Sequence, residues 1–179
     1  LIPIRGGEIQ GRYPAPGWTG ENEWQGFIPF NELPYALNPD EGYIVTANNA
    51  VVSTDYPYRI ADTWSYGYRA QRIVQLITEA SGPISLADMQ TMQSDTYNVN
   101  ASGLLPILLS IDLDDPALNE MRDLLADWDL HNDVDSPGAA LYESFWKQLL
   151  IAAFYDEIPP SEDPEVDAPL PGGDSRWME

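Results

Sequence analysis

Cysteine is absent from the 179 residues, and histidine occurs once, at His131. Without cysteine there is no disulfide, no thiolate nucleophile and no Cys-ligated metal. One histidine makes any Ser-His-Asp triad depend on a single residue. Basic side chains are scarce: 8 Lys and Arg stand against 29 Asp and Glu, for a net charge of -21. So acidic a surface repels phosphate backbones and anionic bilayers, which argues against nucleic-acid and membrane partners. No apolar run approaches the roughly 18 residues that span a bilayer. HExxH, Walker-loop, GxGxxG and GxSxG patterns are missing too. The start, Leu1-Ile2-Pro3-Ile4-Arg5, has neither an initiator Met nor a signal-peptide pattern, and reads as a chain cut mid-strand.

What is present suffices for a core. Hydrophobic residues make up 44% and charged ones 21%, which excludes disorder by composition. The length fits one ordinary domain or part of a larger one. Three textures follow one another. Residues 1–64 are punctuated by Pro14, Pro16, Gly17, Gly20, Gly26, Pro29, Pro34, Pro39 and Gly42, too often for a long helix. Tyr43-Ile44-Val45-Thr46, after the turn Asp40-Glu41-Gly42, is the clearest strand, and Leu1–Arg5 is a shorter candidate.

Residues 65–156 carry helical signals. Tyr68, Ile73, Leu76 and Ile77 recur near helical spacing. Ser85-Leu86-Ala87-Asp88 resembles a capping box with Asp in place of Glu, so a helix should start there. The apolar run Leu104–Ile111 contains Pro106, which kinks or restarts a helix. Asp114-Asp115-Pro116 is a strong helix start continued by Leu118, Met121, Leu124, Leu125 and Trp128. Ser136-Pro137 opens another, with Leu141, Phe145 and Leu149 on its apolar face. Residues 157–179 begin with prolines among acidic residues and read as an exposed loop with a truncated continuation. The fold class expected is α+β, mostly α.

Each chemical motif has an unremarkable counterpart. His131 sits in Asp129-Leu130-His131-Asn132-Asp133 and is either a functional group near carboxylates or a solvated loop residue. Asp112, Asp114, Asp115, Asp127, Asp129, Asp133 and Asp135 lack EF-hand spacing, and helix caps explain most of them. The aromatic stretch from Trp18 to Phe30 suits a sugar-stacking platform or an irregular segment pinned by buried rings. With Tyr35, Trp18 and Trp24 would form an autonomous carbohydrate- or peptide-binding module, the alternative to an enzyme. The segment from Asn38 to Arg72 brings a strand, then Asn48-Asn49, then a helix with Arg69 near its start. Amides at a strand end can donate to a developing oxyanion; the bland reading is an Asx turn.

The run Asn38-Pro39-Asp40-Glu41-Gly42-Tyr43-Ile44-Val45-Thr46-Ala47-Asn48-Asn49, with Asp55-Tyr56-Pro57 and Trp64-Ser65-Tyr66-Gly67-Tyr68-Arg69-Ala70-Gln71-Arg72, closely resembles the penicillin acylase family of N-terminal-nucleophile hydrolases. Arg12-Tyr13-Pro14-Ala15-Pro16-Gly17-Trp18, Ile28-Pro29-Phe30 and Glu32-Leu33-Pro34 look like the same family's lead-in. The similarity is strong over residues 3–76 and weaker through to Ser175-Arg176-Trp177.

The resemblance implies part of a β chain from an αββα sandwich, with a helical excursion. It implies a self-cleaving precursor, an N-terminal Ser that attacks a small-molecule amide, and that residue's own α-amine as base. That Ser would lie upstream of Leu1, so the chain by itself is expected to be inactive. The resemblance puts an oxyanion-hole role on Asn48 and a nearby supporting role on Arg69. It implies the α chain and the rest of the β chain as partners, and a periplasmic or extracellular location. No cofactor is implied for catalysis; a structural calcium is, with Asp55 and Asp62 both candidate ligands.

Overall fold

The computed structural model describes residues 1–11, 13–61 and 63–154. Two compact units divide the chain, Leu1–Ala70 and Gln71–Glu179. The loop expected over 157–179 lies outside the described residues.

The first unit holds little regular structure. Strand β1 (Pro3–Arg5) pairs antiparallel with β2 (Trp24–Phe27), in the register Pro3↔Phe27, Ile4↔Gly26 and Arg5↔Trp24. The Ile28 amide extends the ladder by donating to the Ile2 carbonyl at 2.9 Å. Ile28 is only 2% exposed, so this short ribbon closes over one apolar anchor. Leu1–Arg5 thus supplies the strand its sequence suggested, but its partner is Trp24–Phe27, inside the aromatic stretch. The stretch is not pinned by buried rings: Trp18 and Phe30 are 89% and 88% exposed.

Tyr43–Thr46 belongs to neither strand, contrary to its sequence signal. Its exposure alternates with a period of two, Tyr43 and Val45 half-buried and Ile44 and Thr46 exposed, as in a strand. A β-strand, however, is defined by a hydrogen-bonded neighbour, and no described segment supplies one. The turn before it forms as expected, with the Gly42 amide donating to the Pro39 carbonyl at 2.9 Å. Tyr56 and Tyr58 tie the rest of the unit to a 3₁₀ turn at Phe30–Glu32, through the Glu32 carbonyl (2.7 Å) and carboxylate (2.5 Å). That carboxylate, by accepting the Tyr58 hydrogen bond, raises the phenol above its ordinary pKa.

Among the described residues five helices follow: α1 (Tyr68–Thr78), α2 (Leu86–Gln93), α3 (Val99–Leu109), α4 (Pro116–Asp123) and α5 (Pro137–Phe154). Their starts follow local chemistry. The Ser85 hydroxyl accepts from the Asp88 amide while the Asp88 carboxylate accepts from the Ser85 amide, a complete capping box. Asn98 caps α3 by accepting from the Ala101 amide at 2.9 Å. Asp115 caps α4, with Pro116 at the first helical position. Pro106 lies within α3 rather than at its start; lacking an N–H, it leaves the carbonyl four residues earlier without its helical donor.

Helices α3 and α5 and the turns that follow α4 close around Ala101, Leu105, Leu125, Trp128, Ala139 and Tyr142, all buried. Trp128 and Tyr142 stack tilted with ring centres 5.3 Å apart. Gly138 sits against Trp128: a Cβ there would meet the Trp128 ring at 2.6 Å. Alanine is the better helix former by about 1 kcal/mol, but overpacking a filled core costs roughly 1–3 kcal/mol. Gly138→Ala is therefore expected to lower the thermal midpoint of the chain, read by circular dichroism; a raised midpoint would show that the ring yields freely.

A second anchor joins α1 to the segment before α3. Arg72 makes a fork on Asp95, Nε to Oδ2 at 2.8 Å and Nη2 to Oδ1 at 2.7 Å. Its guanidinium also lies 4.4 Å from the centre of the Tyr97 ring. Arg72's hydrogen bonds hold the Asp95 carboxyl below its ordinary pKa. A carboxyl depressed in the folded state stabilises above its unfolded pKa and loses that contribution as pH falls through the folded value. The anchor should thus hold at neutral pH and weaken below roughly pH 4. Asp95→Asn should cost about 1.5–3 kcal/mol at pH 7 and less at pH 3, measured by urea unfolding; an equal loss at both pH values would rule out the ion pair as the cause.

Candidate functional site

The chain leaves its extended run at Asn48, whose φ of 62° is left-handed. Asparagine tolerates that region better than most residues because its short polar side chain bonds locally. Gly67, at φ 94°, then turns the backbone into α1. Arg69 is the second residue of that helix, which places a guanidinium beside the Asn48 turn.

Three sets of hydrogen bonds hold the turn. The Asn48 carbonyl accepts from the Ser65 amide at 2.8 Å. Arg69 Nη2 donates to Asn48 Oδ1 at 2.8 Å and to the Ala47 carbonyl at 3.2 Å. The Ala47 amide donates to Asn49 Oδ1 at 2.9 Å, and Asn49 Nδ2 donates to the Ala50 carbonyl at 3.2 Å. Arginine can only donate, so the Asn48 atom facing it must be the carbonyl oxygen. The amide nitrogen Nδ2 is thereby fixed on the other side, and Asn48 is exposed. Among the described residues Arg69 forms no ion pair. Its position near the positive end of a helix dipole is an electrostatic cost, offset here by two carbonyl acceptors. The result is a neutral N–H donor aimed by a neighbouring cation, an arrangement suited to an oxyanion.

The structure thus brings together the two residues singled out from sequence, Asn48 and Arg69. Asn49 and Ser65 complete the turn. The Asx turn weighed for Asn48-Asn49, in which an asparagine oxygen accepts from the amide two residues on, is not what forms: Asn49 Oδ1 instead accepts from Ala47, two residues back.

The other candidates lie elsewhere. His131 pairs by backbone with Tyr97, and its Nδ1 lies 3.1 Å from the Thr96 hydroxyl, which donates to Asp133 at 2.8 Å. The hydroxyl proton thus goes to the carboxylate rather than to the imidazole, the reverse of a nucleophile–base pair. Trp18, Trp24 and Tyr35 are exposed, and Trp24 meets Phe27 edge-on. A cleft of about 340 Å³ is lined by Arg5, Gln10, Ile28, Tyr58 and Arg59 among others, but by neither Asn48 nor Arg69. Asp55 is exposed, and the described residues gather no group of three or more His, Asp or Glu. Asp62, the other candidate calcium ligand, lies outside the described residues. No helix among the described residues is long and apolar enough to cross a membrane.

Comparison with known proteins places the arrangement in context. The family model described as penicillin amidase matches residues 1–179. The chain is 35% identical over 150 residues to the penicillin acylase 2 proenzyme of Pseudomonas sp. (strain SE83), covering 83% of this chain and 19% of that protein. It is 29% identical over 185 residues to the acyl-homoserine lactone acylase QuiP of Pseudomonas syringae pv. tomato, covering 95% and 22%. Among solved structures it is similar to the thermostable penicillin G acylase of Alcaligenes faecalis, with a TM-score of 0.59 and 25% identity over 86% of this chain and 30% of that one. The chain therefore spans about a fifth of the length of these curated relatives. The mostly helical α+β class expected from sequence, and its place in the N-terminal-nucleophile hydrolase fold, are borne out.

Proposed function

Because the chain belongs to the penicillin amidase family, we propose that it works as part of a larger amidohydrolase that cleaves penicillins or other N-acyl compounds through an acyl-Ser intermediate. The observation that carries this reading is the contact of Arg69 with Asn48 Oδ1, which leaves Asn48 Nδ2 to donate.

In the proposed reaction a Ser at the start of the β chain attacks the amide carbonyl. Its hydroxyl proton passes to its own α-amine, so no histidine is needed. The carbonyl π electrons move onto oxygen, and Asn48 Nδ2 donates to that oxyanion as its charge develops. The intermediate collapses, the C–N bond breaks, and the leaving amine takes the proton. Water then cleaves the acyl ester by the same steps. Arg69 holds the amide of Asn48 in the donating orientation, and its charge steadies the oxyanion at longer range. Of the residues above, these two are the ones placed in the reaction.

The partners proposed are the α chain, the rest of the β chain and a small amide substrate. A periplasmic or extracellular location goes with that assembly. The relatives' names divide between penicillin acylases and acyl-homoserine lactone acylases, so the assay should carry both amide types. The full-length protein should release amine from a phenylacetyl amide or from an N-acyl homoserine lactone. Binding of glycans or peptides without turnover of either amide type would count against it and favour a module built on the exposed rings.

A further inference from the structure

We infer that Asn49 is a positioning residue for the same reaction, acting on the oxyanion only through Asn48. The inference rests on the reading of Asn48 given above. The backbone at Asn48 is left-handed, a conformation that needs support for any residue with a Cβ. Asn49 supplies it from one side. Its Oδ1 accepts from the Ala47 amide at 2.9 Å, reaching back across Asn48, while its Nδ2 holds the Ala50 carbonyl at 3.2 Å. Arg69 takes the carbonyl of the same Ala47. Residue 47 is thus pinned on its N–H by one side chain and on its C=O by the other.

The two neighbouring amides divide the work. Asn48 is exposed, with its Nδ2 donating to no group among the described residues; Asn49 is half-buried, with both ends of its amide engaged on backbone. A side chain spent wholly on local backbone cannot itself meet substrate. What it can do is fix the turn from which Asn48 projects. Freed of that bond, residue 47 can rotate and the Asn48 amide shifts with it. A shift of about 1 Å at a reacting centre can cost on the order of 100-fold.

The test uses the full-length protein and counts active sites by titration, so that misfolded or unprocessed molecules are excluded. Asn49→Leu should lower kcat by roughly 10–100-fold with little change in KM. Asn49→Asp keeps an acceptor oxygen for the Ala47 amide and should recover most of the rate. The decisive arm is a double variant. If Asn49 acts through Asn48, then Asn49→Leu added to Asn48→Ala should change kcat by no more than about 2-fold. A full additive loss in that background would overturn the inference, as would an Asn49→Asp as impaired as Asn49→Leu. An Asn48→Ala variant with near-normal kcat would instead overturn the reading of Asn48 itself.

Discussion

Asn48→Ala in the full-length protein is expected to lower kcat by about 100–1,000-fold, or roughly 2.7–4 kcal/mol of transition-state stabilisation. The size follows from what the side chain does. A donor aimed at an oxyanion is worth little to the neutral ground-state carbonyl and much to the charged intermediate. Its loss should therefore fall on kcat and kcat/KM together and leave KM near its starting value. The turn should survive, because the Ser65 and Asn49 bonds engage backbone groups that the substitution leaves in place. Alanine is less at ease than asparagine at φ 62°, so the thermal midpoint should fall slightly. A processed, correctly folded Asn48→Ala protein with near-normal kcat would remove Asn48 from the reaction.

Arg69→Lys should cost roughly 10–100-fold in kcat, although the charge is kept. Arg69 reaches two carbonyl oxygens, Asn48 Oδ1 and that of Ala47, from one planar guanidinium. A lysine ammonium is a point charge on a flexible stem and cannot hold that fixed geometry. The Asn48 amide would then be free to turn over, presenting oxygen rather than N–H to the developing oxyanion. Because Arg69 is exposed and at the first turn of α1, lysine should leave the melting temperature almost unchanged. Calorimetry beside kinetics separates the possibilities. A collapse in melting temperature with activity per folded molecule intact would make Arg69 a structural anchor of the helix start and nothing more.

Much of the helical unit was legible in the sequence because its signals are local. Ser85 and Asp88 satisfy each other's backbone across one turn, and Asp115-Pro116 and Ser136-Pro137 start helices by rules that involve neighbours in sequence. Two features were not legible. The start of α3 at Val99 went unread although its cap is local, Asn98 accepting from the Ala101 amide; the contacts that orient Asn98, its amide N–H to the Leu130 carbonyl at 2.8 Å and its Nδ2 to Glu143 at 3.1 Å, are remote in sequence. Strand formation is likewise non-local. Tyr43–Thr46 has the better β composition, yet Trp24–Phe27 is the segment that pairs with Pro3–Arg5. At the site, Asn48 and Arg69 were named through resemblance and are joined by a direct contact of their side chains. Asn49 was noticed only as a turn former. Its bond runs back two residues to Ala47, opposite in direction to an Asx turn, and nothing in the pattern Asn-Asn says which amide faces outward.

The most direct test of the account is a crystal structure of the full-length protein with a tetrahedral mimic, such as a boronic acid, on the nucleophile. Asn48 Nδ2 should lie about 2.7–3.1 Å from the oxygen that stands for the oxyanion, with Arg69 still on Asn48 Oδ1. An oxyanion position served by other donors, with the Asn48 amide turned away from it, would contradict the central claim.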